Sequence, residues 1–196
     1  MICAVDYLTV IHRPDSMCQE EKSVNLPVIL PVNLIAKYSL VLLLICAAVT
    51  PALSDPVDIP APQANDACPV CGMFVAKYPA WVASVRYQDG HLHHFDGAKD
   101  LYKYLRDLPR WAPGHRHADI RTIGVTEYYT LTRIDAQHAW FVIGSDVLGP
   151  MGHELIPLET LADAEEFMRD HKGVRILRQD EVTQELLEKL DKGVFE

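Results

Sequence analysis

The chain is short of positive charge, of cysteine and of long apolar runs, and each shortage removes a class of function. Against 27 Asp and Glu it has only 18 Lys and Arg in 196 residues, a formal net charge of −9. With no basic stripe to neutralise phosphates, binding to a nucleic-acid backbone is set aside. The apolar stretch Leu40–Val49 is about half the roughly 20 residues that a membrane-spanning helix needs. There is no Gly-x-Ser-x-Gly, no phosphate-binding glycine loop and no dinucleotide fingerprint. No nucleophile is paired with a base. Nothing marks an enzyme.

The first 54 residues read differently from the rest. Lys37, the apolar run Leu40–Val49 and the small residues Ala52 and Ser54 form the pattern of a secretory signal peptide over 34–54, cut after Ser54. A membrane anchor is the alternative, and the run is too short for it. Residues 1–33 precede the charged flank at unusual length. The expectation is that translation begins near Val32 or Leu34 at a non-ATG codon. Peptides from Met1–Asn33 in a mass spectrum of the precursor would overturn it. Ile45 stands where lipoprotein processing wants a small residue before Cys46, so Cys46 reads as an apolar member of the signal core. Cys68 and Cys71 are then the cysteines of a secreted, periplasmic chain.

Pro56, Pro60 and Pro62 make 55–66 an extended, flexible tether. The region 67–196 reads as the functional domain, in subunits of about 67–118 and 119–180. The first has a strand from Ala80-Trp81 to Tyr87, a turn at Asp89-Gly90 and a return through His91–Phe95. A helix over Gly97–Arg106 follows, with Asp96 as its cap and Leu101, Tyr104 and Leu105 on one face. Leu108–Asp119 reads as a surface loop, then Ile120–Thr126 and Tyr128–Ile134 as strands. The second unit starts again with Ala139-Trp140, runs to Gly144 and returns through Glu154–Pro157. Its helix, Leu161–His171, has Thr160 and Asp163 in a capping-box arrangement, a stripe of Leu161, Ala164, Phe167 and Met168, and Gly173 as its stop. A strand over Val174–Leu177 and a final helix over Thr183–Lys192 complete an α+β fold with a weak internal repeat.

Cys68-Pro-Val-Cys71 places two sulfurs close enough to share an ion or form a disulfide. A structural disulfide in so small a ring constrains the chain little. A redox pair should follow a strand in a βαβ unit, and this one follows a proline-rich segment. A closed zinc site lacks its second pair of ligands. Met73 adds a soft thioether, which favours Cu(I), although packing beside Phe74 and Val75 accounts for it equally well. Met151, in the turn Gly149-Pro150-Met151-Gly152, is expected at an exposed loop tip, as an open ligand or as a tolerated apolar residue. His153 offers a nitrogen donor beside it. His91 and His93 share a strand face and His94 points the other way. With His115 and His117, these read more as solvated surface than as ligands.

Cys68-Pro-Val-Cys71-Gly-Met73-Phe74-Val75, Phe95-Asp96-Gly97, Gly144-Ser145-Asp146 leading to Gly149-Pro150-Met151-Gly152, and Asp163-Ala164-Glu165-Glu166-Phe167 together resemble the NosL family of nitrous oxide reductase accessory proteins. The likeness spans roughly Asp66 to Leu177. It implies two small strand–strand–helix–strand units similar to the alkylmercury lyase fold. It also implies a periplasmic Cu(I) metallochaperone with Cys68, Cys71, Met73 and Met151 as metal ligands. A copper exporter or donor would stand upstream and a maturing copper enzyme, such as nitrous oxide reductase, downstream. No catalytic residues are implied, and membrane contact only through the signal peptide. Relatives are usually lipoproteins, which the Ile45–Cys46 junction does not match. The competing reading is a thiol–disulfide oxidoreductase using Cys68 and Cys71, which needs a depressed thiol pKa and gives Met151 no role. A disulfide-stapled module is the third.

Overall fold

A computed structural model describes residues 57–196. The leader, the signal peptide and Cys46 lie outside the described residues. Strand β1 (Ala83–Tyr87) is the centre of the first sheet. The chain turns back after it at Asp89-Gly90, where Gly90 takes φ +93 and its N–H reaches Tyr87 O at 3.1 Å. That left-handed conformation is open to glycine at no steric cost. The return strand β2 (Leu92–Phe95) pairs antiparallel with β1, with Ala83 opposite Phe95 and Arg86 opposite Leu92. Helix α1 (Ala98–Arg106) follows immediately. Strand β3 (Ile120–Thr126) lies on the other side of β1, and β4 (Arg133–Asp135) closes that edge.

The second sheet repeats the plan. Strand β5 (Trp140–Ile143) is central, the return strand β6 (Ile156–Leu158) lies on one side, and β7 (Arg175–Leu177) on the other. Helix α3 (Leu161–Asp170) follows β6 as α1 follows β2. The orders β2-β1-β3 and β6-β5-β7 therefore correspond, and the expected α+β architecture of two strand–strand–helix–strand units is present. The boundary expected near 118 separates β1 and β2 from β3, which pairs with β1 in the same sheet.

Alternation along β5 assigns its two faces. Phe141 and Ile143 enter the main core with Phe95, Leu101, Tyr102 and Val125. Val142 points the other way, to Ile156, Leu158, Ala164 and Phe167 beneath α3. The last helix, α4 (Gln184–Asp191), buries Leu186, Leu187 and Leu190 in the main core. Thr183 Oγ1 accepts the Leu186 N–H at 3.2 Å, and Gly193 at φ +69 ends the helix as its position in the sequence suggested. Thr160 likewise caps α3, accepting the Asp163 N–H at 3.1 Å.

Several elements differ from the sequence reading. Tyr128–Leu131 is a turn rather than strand. Glu127 Oε2 accepts from Thr130 N–H and Oγ, and Leu131 takes φ 57, so β4 begins only at Arg133. The segment read as a loop holds a short helix α2 (Leu108–Trp111), with proline in the first turn where its missing N–H costs nothing, and a 3-10 turn at His117–Asp119. Leu161, placed in the buried stripe of α3, is exposed. Residues 57–60, read as part of a flexible tether, lie along β4: Val57 N–H donates to Arg133 O, Ile59 is buried, and the Arg133 guanidinium donates to Ile59 O and Pro60 O. Among the described residues no helix is long and apolar enough to cross a membrane.

Candidate metal centre

The Cys68–Met73 segment is a closed loop rather than a free end. Ala67 and Phe74 bridge antiparallel, Cys68 N–H donates to Met73 O and Gly72 N–H to Cys68 O, both at 2.8 Å. Gly72 sits at φ +80, a conformation that favours glycine. Within the loop, the backbone N–H groups of Cys71 and Val70 are directed at the Cys68 sulfur, and that of Met73 at the Cys71 sulfur. These donors favour thiolate, the form that binds metal.

The loop presents both sulfurs to the start of α1. Cys71 Sγ donates to Asp96 Oδ1 at 3.2 Å, and Cys68 Sγ to Asp100 Oδ2 at 3.6 Å. One donor atom from each of Cys68, Cys71, Asp96 and Asp100 lies within 4.8 Å of all the others. Asp96 is therefore not the helix cap expected from sequence: Gly97 holds that position, and no side chain caps it. At 1% exposure, Asp96 instead spends its carboxylate on Cys71, and its Oδ2 is buried without a partner. An unsatisfied buried polar atom costs about 1–3 kcal/mol, more when charged, and a bound cation would recover it. The residues fit a metal ion on that ground.

Both cysteines are free thiols. Burial raises the Cys68 pKa to about 11 against the pull of its backbone donors, and Asp96 raises it further. Burial pushes Cys71 up as well, with Asp96 and the neighbouring Cys68 adding to it. A redox-active nucleophilic cysteine needs the opposite shift.

The second loop is fixed to the same helix. Lys99, one residue before Asp100 and only 1% exposed, donates from Nζ to Met151 O at 3.0 Å and pairs with Asp191 of α4 at 3.1 Å. Buried Glu154 accepts the backbone N–H groups of Lys99 and Leu155. Its carboxylate packs on Gly97, where any Cβ would overlap Glu154 Oε2. Gly149 and Gly152 bridge across the turn, and Met151 between them is 46% exposed. Met73 is half-buried and belongs to neither hydrophobic core, so the packing explanation for it finds no support there.

The histidines divide. His94 is buried with Nδ1 2.7 Å from Ser84 Oγ. The His153 ring packs edge-on against Phe195, and His117 is exposed in a 3-10 turn. None of these is among the side chains gathered with the thiols. Asp100, Lys99 and Glu154 escaped the sequence reading. One signal was available: Asp96 and Asp100 are four residues apart across a helix start, a spacing that puts both carboxylates on one side.

Two antiparallel sheets, four helices and a thiol–carboxylate cluster at the first turn of α1 define a small two-unit α+β protein with a candidate metal centre. The NosL family model matches residues 59–187, and the chain belongs to that family. Among solved structures it is similar to the copper chaperone NosL from Shewanella denitrificans, at 25% identity and a TM-score of 0.55, over 67% of this chain and 99% of that one. No curated protein matches it.

Proposed function

We infer that this chain is a periplasmic copper chaperone. It carries Cu(I) on Cys68, Cys71, Met73 and Met151 and passes it to a maturing copper enzyme such as nitrous oxide reductase. The observation that carries the reading is the meeting of two free thiols and two buried carboxylates at the first turn of α1, with the Met151 turn tied to Lys99 of the same turn. The similar solved protein is a copper chaperone, which fits.

Thiolate and thioether donors select Cu(I) over harder ions. Asp96 and Asp100 add negative charge beside the cation, and Asp96 already accepts the Cys71 proton that binding must release. The exposed Met151 is the donor an incoming protein reaches first. The ion leaves by exchange of one sulfur at a time, with no change of oxidation state. Copper enters from an exporter or donor on the same side of the membrane, after secretion through the signal peptide of residues 34–54. The oxidoreductase reading lacks its required low thiol pKa and leaves the Met151 anchorage unexplained.

Anaerobic titration of the chain with Cu(I) and with Zn(II), under a competing chelator, tests this. One tight equivalent of Cu(I), weakened in Cys68→Ser, Cys71→Ser and Met151→Leu, supports the carrier. Preference for Zn(II) through the two thiols and two carboxylates would replace it with a structural zinc site.

A further inference from the structure

At the far end of β2 from the thiols, the hairpin tip gathers a different set of donors. Asp89 Oδ1 accepts the His91 N–H at 3.0 Å, which fixes the carboxylate at the turn. Its Oδ2 lies 2.9 Å from His91 Nδ1 and 3.4 Å from His115 Nε2. His115 comes from a separate segment, the stretch between α2 and β3, and its ring lies on Tyr87 with centroids 4.1 Å apart. The His91 and His115 rings are 5.6 Å apart. Tyr87 is itself held by a 2.7 Å hydrogen bond between its hydroxyl and that of Tyr104. His93, on the same strand face as His91, packs against both tyrosines and backs the cluster.

One donor atom from each of Asp89, His91 and His115 lies within 4.8 Å of the other two. Ligands about 2.0–2.1 Å from a tetrahedral ion stand about 3.3 Å apart, so Asp89 is already at that spacing from both imidazoles, and the two imidazoles must close by at most about 1.5 Å. The side chains of Asp89 and His91 are more than half exposed and free to make that movement. From His91 to Asp96 the extended chain rises roughly 16 Å, so this cluster shares no ligand with the thiol site.

We propose that Asp89, His91 and His115 form a second metal site, for a borderline divalent ion such as Zn(II) or Cu(II). Two imidazoles and one carboxylate suit such ions, whereas Cu(I) prefers sulfur. Three protein ligands leave a coordination position open to water or another small donor. By the usual order of affinities Cu(II) binds tightest. The chain then holds copper in either oxidation state at separate places, the reduced ion on sulfur and the oxidised ion on nitrogen and oxygen.

The test compares the full chain with His91→Ala and with Asp89→Ala, both changes at exposed positions that leave the core untouched. Zn(II) is followed by calorimetry and Cu(II) by electron paramagnetic resonance. The expected result is that each variant loses one Zn(II) equivalent and the nitrogen hyperfine pattern of imidazole-bound Cu(II), while Cu(I) binding is unchanged. Cys68→Ser with Cys71→Ser should keep both signals. If that doubly substituted chain does not fold, the His91→Ala comparison, made with intact thiols, still decides. Equal Zn(II) stoichiometry and equal Cu(II) spectra in the full chain and His91→Ala would overturn the site.

Discussion

The carboxylate of Glu154 lies directly against the backbone of Gly97, closer than any side chain at that position would allow. Gly97 has an extended φ of −175, so its lack of a side chain serves close approach and not backbone strain. Through this contact and through Lys99 and Met151, the loop after β5 is locked to the helix start that carries Asp96 and Asp100. Gly97→Ala should therefore destabilise the chain by about 2–3 kcal/mol, since overpacking a rigid contact costs that much. Urea unfolding measures it, and a loss below about 0.5 kcal/mol would show that the loop moves freely.

Glu154 also makes stability depend on pH. Burial raises its pKa from 4.5 to about 8, against the backbone donors of Leu155 and Lys99 and the Lys99 charge. The folded chain thus holds a proton that the unfolded chain releases. The stability this contributes is full below about pH 4.5 and is lost as pH rises through about 8. The slope is up to about 1.4 kcal/mol per pH unit within that window. Glu154→Gln keeps the acceptor oxygen and cannot ionise. Its unfolding free energy, measured from pH 5 to 9, should run flatter than that of the unaltered chain, and parallel curves would contradict the assignment.

Metal loading should respond to pH in the opposite sense. Burial first, and Asp96 after it, hold both thiols protonated at neutral pH, so an ion on two thiolates displaces two protons. The apparent Cu(I) affinity should rise by as much as about 100-fold per pH unit between pH 6 and 8. Asp96→Asn removes one of the groups that raise the Cys71 pKa, so ultraviolet thiolate absorbance should titrate lower in that variant. An unchanged or higher midpoint would sever the link between Asp96 and the thiol.

Lys99→Met tests the tie between the two halves of the site. It removes hydrogen bonds from a buried ammonium to Met151 O and Asp191, worth about 1.5–3 kcal/mol together with what is left unpaired. Amide hydrogen exchange in the Gly149–Gly152 turn should quicken, and Cu(I) should bind less tightly with the cysteines intact. Unchanged exchange in that turn would mean that Lys99 does not hold it.

Local signals made much of the fold legible. The Trp140 start of β5, the Asp89-Gly90 turn and the Thr160 cap each act within a few residues and appear where the sequence put them. Ala80 and Trp81, by contrast, lie in a turn, and β1 begins only at Ala83. What stayed hidden depends on distant partners. Lys99 has no assigned role in the helix read over Gly97–Arg106, and only Asp191 on α4 and Met151 on another loop explain its burial. Asp96 at a helix start has the chemistry of a cap, yet the Cys71 thiol, twenty-five residues earlier, claims it. Glu154 gave no sign that it would meet Gly97. The Cys68–Cys71 pair was plain from its spacing. That two carboxylates face it is a property of the tertiary fold.

The sulfur donors proposed for copper are tested most directly by X-ray absorption at the copper edge on the chain loaded anaerobically with one equivalent of Cu(I). A shell dominated by sulfur, losing one sulfur in Met151→Leu and one in each cysteine-to-serine variant, is the predicted result. A shell of nitrogen and oxygen, or a sulfur count unchanged in both Met73→Leu and Met151→Leu, would contradict it.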